Sequence, residues 1–473
     1  MIRAFLAAAA AGATLATSGF TGSGASVAAA PGEQLWTARY DNGGTDDASS
    51  VAASPDGTKV FVTGTSETQF DGSPQYTTVA YNATTGAQLW ASRYIGAAIG
   101  TDVALSPDGT EVFVTGRTEL NDHPRFATVA YNAASGAQLW AKLYGSGAGL
   151  SGAAPSSLAV SPDGSRVVVT GYNSGPSGAP SANYATVAYS AVTGARLWAR
   201  TYNGPGNGRD VAAAVTISGS GRVFVTGSSY GGASRLGDYA TVAYAGASGT
   251  RAWVARYNGP ASGGDAATAI AFSPGQGRVT VTGSSAGVSS GQDYATVAYN
   301  TTTGVRIWAS RYNGPGNGRD SASAVTVSGS GRVLVTGSSY GGAATGSDYA
   351  TVAYAGASGT RAWVARYNGP GSRGDAAAAI AFTSGQVAVT GTSDGGTATG
   401  SDYATVAYNT TTGARIWASR YNGPGNPDFP GPSADTATAI TITPNGATTF
   451  VTGSSSGITG STRRDYLTLA YRS

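Results

Sequence analysis

Cysteine is absent from the 473 residues, and histidine and methionine occur once each. Without cysteine there is no disulfide, no thiolate metal centre and no acylated N-terminal cysteine. A Ser-His-Asp triad would have to recruit His123, in RTELNDHPRF, and no Gly-x-Ser-x-Gly elbow stands in a setting that would serve it. A zinc site with one imidazole and no thiolate would need several carboxylates, so His123 reads as a solvated loop residue and no metal site is assigned. Charge is scarce as well. Charged residues make up 11% of the chain, with a net charge of +3 and no Lys/Arg run. That excludes the basic footprint that nucleic acid or an anionic membrane surface requires.

Long apolar runs are missing too. Met1-Ile2-Arg3 is a short positive start, and Ala4 to Ala16 is an Ala-rich stretch of about 13 residues, short of the ~20 that span a bilayer. Small residues follow, ending in Ser26-Val27-Ala28-Ala29-Ala30. Residues 1–30 therefore read as a secretory signal peptide cleaved near Ala28 to Ala30. The expected protein is secreted, with no membrane span, and monomeric. Downstream, no 3.6-residue apolar period marks a helix.

Glycine is abundant instead, at 72 residues, but it is placed with regularity. Trp36, Trp90, Trp140, Trp198, Trp253, Trp308, Trp363 and Trp417 recur with a Val-Thr-Gly at Gly64, Gly116, Gly171, Gly227, Gly283, Gly337, Gly391 and Gly453. A Tyr-Ala-Thr-Val-Ala-Tyr segment, relaxed in some copies, also occurs eight times. The period of about 55 residues leaves room for four short strands. RIWASRY (Arg415 to Tyr421), DAATAIAFS (Asp265 to Ser273), KVFVTG (Lys59 to Gly64) and YATVAY are those strands, joined by an Asn-Gly-Pro loop, tight turns such as Ser-Pro-Asp-Gly, and a Thr-Thr-Gly turn.

In Tyr239 to Tyr244 neither alternating face is polar, as expected for a sheet packed on both sides. Residues 31–473 are thus expected to form one all-β domain, an eight-bladed β-propeller of four-stranded blades. The final copy stops at Ser473 before a Trp strand, and Gly32 to Tyr40 supplies one. The N-terminal strand is therefore expected to complete the C-terminal blade.

AYNATTGAQLW (Ala80 to Trp90) resembles the tryptophan-docking motif of quinoprotein (PQQ-type) propellers and of related secreted bacterial repeat proteins. Ala130 to Trp140, Ala298 to Trp308 and Ala407 to Trp417 match well, whereas Ala188 to Trp198, Ala243 to Trp253 and Ala353 to Trp363 replace the Asp/Asn by Ser or Ala. The resemblance implies structural roles for the eight tryptophans. A PQQ-dependent dehydrogenase would also need a bound quinone, usually with calcium, ring-stacking aromatics and often vicinal cysteines. Every tryptophan is already committed to docking, so no cofactor is expected.

Several polar sets recur. Asp46, Asp210, Asp265, Asp320, Asp375 and Asp435 open the second strand of most repeats. They would either ring one mouth of the channel, as a cation or polyol site, or accept N–H groups from the Gly-rich loops before them. Asp238, Asp293, Asp348, Asp402 and Asp465 read as turn caps. Arg39, Arg93, Arg256, Arg311, Arg366 and Arg420, three residues after a tryptophan, read as charges keeping an outer edge strand soluble. The sequons at Asn82, Asn300 and Asn409 lie in Thr-Gly turns, which account for them.

Blades differ little: residues 202–257 and 312–367 agree at 48 of 56 positions. A distinct site must therefore come from the irregular loops 66–75, 118–125 and 422–435. The first two hold Glu67, Asp71, Glu119 and Asp122, candidate acid–base carboxylates for a carbohydrate- or lactone-active hydrolase or lyase. The third holds Asp428 and Phe429, candidate ligand contacts. The leading expectation is a secreted, non-catalytic binding or scaffold protein. Its partner is unknown; an extracellular polysaccharide, a cell-wall component or a protein would fit. The hydrolase is the alternative, and a quinoprotein the third reading.

Overall fold

The structure, a computed structural model, describes residues 29–68, 74–94, 98–120, 123–145, 152–174, 182–232, 236–261, 263–397, 399–423, 433–456 and 464–473. These residues form eight antiparallel sheets, each a run of four strands. In blade 5 the run is Ala266–Ser273, Arg278–Ala286, Gln292–Asn300 and Arg306–Tyr312. The first strand of each blade is innermost. It packs against the first strands of both neighbours, and Thr436–Ile442 of blade 8 meets Gly43–Ala53 of blade 1 to close the ring. In blade 7 a short strand, Ser433–Ala434, adds in parallel beside Gly400 and Ser401. There is no helix among the described residues.

Ring closure follows the expected scheme. Gln34–Tyr40 pairs antiparallel with Arg464–Arg472, with Trp36 opposite Ala470 and Tyr40 opposite Tyr466. That is the register of an unbroken blade, where Trp308 faces Ala298 and Tyr312 faces Tyr294.

Packing explains why the same strand is written eight times. Residues Asp238–Tyr244 are all buried. Ala240, Val242 and Tyr244 pack on Trp198 and Tyr202 of blade 3, whereas Tyr239 and Ala243 pack on Ala267, Val281 and Val297 of blade 5. Both faces are interfaces, so neither can be polar.

Two glycines per repeat are required by contact. The Val-Thr-Gly glycine lies under the inner strand, and a Cβ at Gly283 would sit 2.0 Å from the Ala266 carbonyl oxygen. The inner strand slips register at that point, between Ala267 and Ala269, a bulge that only a residue without a side chain can face. The turn glycine takes a left-handed conformation, with φ of 71° at Gly359, and a Cβ there would meet the Trp308 ring at 2.6 Å.

The tryptophan of each blade docks on the turn of the next. Trp308 donates from Nε1 to the Gly356 carbonyl at 2.7 Å, and Trp36, Trp90, Trp140, Trp198, Trp253 and Trp363 make the same bond. Trp417 instead packs on Gly32, before the closing strand. Six of the eight are buried; Trp253 and Trp363 are half-buried. Asn300 Oδ1 accepts the N–H groups of Thr302 and Thr303, fixing the turn that the ring covers.

Candidate functional site

The inner aspartates are buried to 1% exposure or less. Asp320 accepts the Gly314 N–H at 2.7 Å on one oxygen and the Tyr340 N–H at 2.9 Å on the other. Asp210, Asp265, Asp375 and Asp435 repeat both bonds, from the preceding Gly-rich loop and from the end of the second strand. Burial raises the pKa of Asp320 and Asp375, and these N–H donors counter it. Five carboxylates thus have both oxygens engaged by the backbone. Ala98 and Ala153 stand at the equivalent positions of blades 2 and 3, opposite Thr118 and Asn173.

Asp46 departs from this pattern. Its Oδ2 accepts the Asn42 N–H at 2.9 Å, but its Oδ1 is buried and takes no backbone N–H, with the Ser66 hydroxyl beside it on the facing strand. The strand Gly43–Ala53 starts early, with Gly43 opposite Thr68, and bulges before Asp46. Asp41 and Asp465 bring a carboxylate oxygen each to within 4.8 Å of one on Asp46. Burial pushes the Asp46 carboxyl up to about 7, Asp41 and Asp465 add to the rise, and Ser66 and the Asn42 N–H oppose it.

The strand arginines and the second set of aspartates differ from the sequence expectation. They are neither edge charges nor turn caps; they form one recurring bridge. Arg311 reaches Asp293 at 2.8 Å, donates to the Ser285 hydroxyl and carbonyl, and meets the Tyr257 hydroxyl of the preceding blade at 3.5 Å. Arg256–Asp238, Arg366–Asp348 and Arg420–Asp402 repeat it, and Arg39–Asp465 rebuilds it across the closing strand. The side chains of Arg311 and Asp293 are 22% and 7% exposed. An unpaired edge does not need such a partner, whereas a half-buried guanidinium does. Arg93 has Gln75 in place of the aspartate and turns to Tyr40 and Asn42.

Replacing Arg311 by Ala leaves Asp293 buried and unpaired. The expected cost is about 2–4 kcal/mol, the range for a broken buried pair lowered for partial exposure. Urea unfolding checks it. The double variant Arg311→Ala/Asp293→Ala should lose less than the two single losses combined; additive losses would contradict the bridge.

The alternative acid–base set is only partly described. Glu67 closes the second strand of blade 1, half-buried, and Glu119 is exposed and paired with Arg117 at 2.5 Å. Asp71, Asp122, Asp428 and Phe429 lie outside the described residues. His123 is half-buried and begins a strand opposite Leu120, so it is not a loop residue.

Sequence reasoning passed over Asp102. It accepts the Ser50 hydroxyl of blade 1 and the Leu158 N–H of blade 3, both at 2.9 Å, and so ties three inner strands together. Its signal was one carboxylate in GTDVAL where other repeats carry Ala or Ser.

Clefts among the described residues lie between blades on the face of the short turns. One of about 340 Å³ is lined by Ser218, Arg222, Phe272, Pro274 and Thr301. Its neighbour is lined by Gln276, Arg278, Arg332 and Gly356. On this face the turns at 218–221 and 328–331, which lack the Asp of Ser-Pro-Asp-Gly, stand beside half-buried arginines, and a further cleft lies between the Ser-Pro-Asp-Gly turns at 106–109 and 161–164.

The same ring occurs in solved structures. Quinohemoprotein alcohol dehydrogenase from Comamonas testosteroni aligns over 93% of this chain and 76% of its own, at 13% identity and TM-score 0.56. A europium-containing methanol dehydrogenase aligns over 93% of each chain, at 12% identity and TM-score 0.52. Chaetomium thermophilum Sqt1 covers 93% and 98%, at 10% identity and TM-score 0.57. At these identities the likeness is one of fold. A search of the curated proteins finds no match. One family model, PQQ_2, described as outer membrane protein assembly factor BamB, matches residues 22–273. With over half of its length matched and a docking tryptophan in every blade, the chain belongs to that PQQ_2 family of β-propellers.

Proposed function

We propose that this protein is an exported binding or scaffold propeller that performs no turnover of its own. The observation that carries the reading is how the recurrent polar groups are used. Five inner aspartates are held by backbone N–H groups, and five strand arginines are bridged to aspartates. Such groups serve blade-to-blade cohesion, and fold likeness to dehydrogenases does not transfer their chemistry. The family's description as an assembly factor accords with a binding role. Export rests on the signal-like segment 1–30.

The test is a screen of the secreted protein against polysaccharides, cell-wall fractions and envelope proteins, scoring binding and hydrolysis together. Saturable binding without product supports the reading. Depolymerisation that is lost in Glu67→Ala or Glu119→Ala would replace it with the hydrolase.

A further inference from the structure

The closure seam differs from the five inter-blade junctions most like it, and those copies serve as internal controls. At four of those junctions a bridge aspartate of one blade neighbours the inner aspartate of the next, as Asp293 does Asp320, and before Asp210 the bridge position holds Asn183. In the controls the residue after the last tyrosine of the outer strand is Asn203, Asn258, Asn313, Asn368 or Asn422; at the seam it is Asp41. In the controls both inner oxygens are held by N–H groups; at the seam Asp46 Oδ1 has none. In blades 4 to 8 the serine opposite takes an arginine, as Ser285 does; at the seam Ser66 takes none, because Arg93 is drawn to Tyr40 and Asn42. The seam therefore gathers a third carboxylate, and its backbone-free buried oxygen is on the inner aspartate, beside Ser66, where Asp293, Asp348 and Asp402 of the controls carry theirs on the bridge aspartate.

We infer that Asp41, Asp46 and Asp465 form a binding site for one divalent cation of the calcium class, which fastens the start of blade 1 to the last strand of the chain. The donor set is all oxygen, as a hard cation requires, and oxygens within 4.8 Å of one another fit around an ion at about 2.4 Å from each. Charge agrees. Arg39 sits 3.1 Å from Asp465 and offsets one of three carboxylates, which leaves about two negative charges for the cation to balance. The neighbouring Asp47 is already paired with Arg464 at 3.1 Å. Asp465 lies on the C-terminal strand and Asp41 follows the closing strand, so the ion joins the two ends of the chain.

The experiment is calorimetric titration of the chelator-treated full chain with calcium chloride, paired with thermal unfolding in calcium and in chelator. The parent should bind one calcium and unfold at a higher temperature with it. Asp41→Asn installs the residue that the control junctions carry, so the fold should persist. Its unfolding temperature in chelator should match the parent's, while its calcium affinity should fall at least tenfold. Asp46→Asn should weaken binding at least as much. A parent that takes up no calcium at millimolar concentration, or either variant binding as tightly as the parent, overturns the site.

Discussion

A chain lacking residues 29–40 is expected to lose its cooperative thermal transition and to elute as aggregate rather than as a single ring. Removing Gln34–Tyr40 strips the outer strand from blade 8 and exposes the ladder edge of Arg464–Arg472. Long, bare strand edges pair with other chains. The deletion also removes Trp36, whose ring packs on Phe450 and Tyr81, and Arg39, the partner of buried Asp465. These losses fall on one interface, so they compound, and a protein of ordinary stability has about 5–15 kcal/mol to lose. A peptide of residues 31–42 supplied in trans should restore the transition. A truncated chain that melts at the parent's temperature would contradict the closure.

Trp308→Ala is expected to cost about 3–5 kcal/mol, the range for truncating a large buried aromatic side chain. Trp308 is 7% exposed, its Nε1 is bonded to Gly356, and its ring covers the Gly359 turn and packs on Tyr354 at 6.1 Å. Denaturant titration should show the midpoint falling, with binding in the fraction still folded unchanged. Trp253→Ala should cost less, because that ring is half-buried. Equal losses at the two positions would show that burial does not set the cost.

The sequence carries the ring and the order of strands because these depend on contacts that repeat at a fixed period. The docking tryptophan, the Val-Thr-Gly glycine and the two-faced Tyr-Ala-Thr-Val-Ala-Tyr strand each answer a constraint met once per blade. The Arg311–Asp293 bridge was harder to read. Its partners lie on neighbouring strands and its meaning depends on burial, so Arg311 looked like an edge charge and Asp293 like a cap. Whether Asp320 pointed to ligand or to backbone was equally undecided until the N–H donors of Gly314 and Tyr340 were in place. The seam was written as one departure, Asp41 where five other copies have Asn. Its partner Asp465 stands at the far end of the chain, so only the closed ring brings them together. Asp71, Asp122, Asp428 and Phe429 fall in stretches of sequence that depart from the other repeats, where periodicity has nothing to say.

The central claim is that the chain keeps the propeller of its quinoprotein neighbours and uses its recurrent polar and aromatic residues to hold the blades together. Calorimetric titration of the protein with PQQ in the presence of calcium tests it most directly. The account predicts calcium uptake alone, sensitive to Asp41→Asn, with no heat from the quinone and no oxidation of alcohols or sugars. Saturable micromolar PQQ binding accompanied by dehydrogenase activity would contradict it.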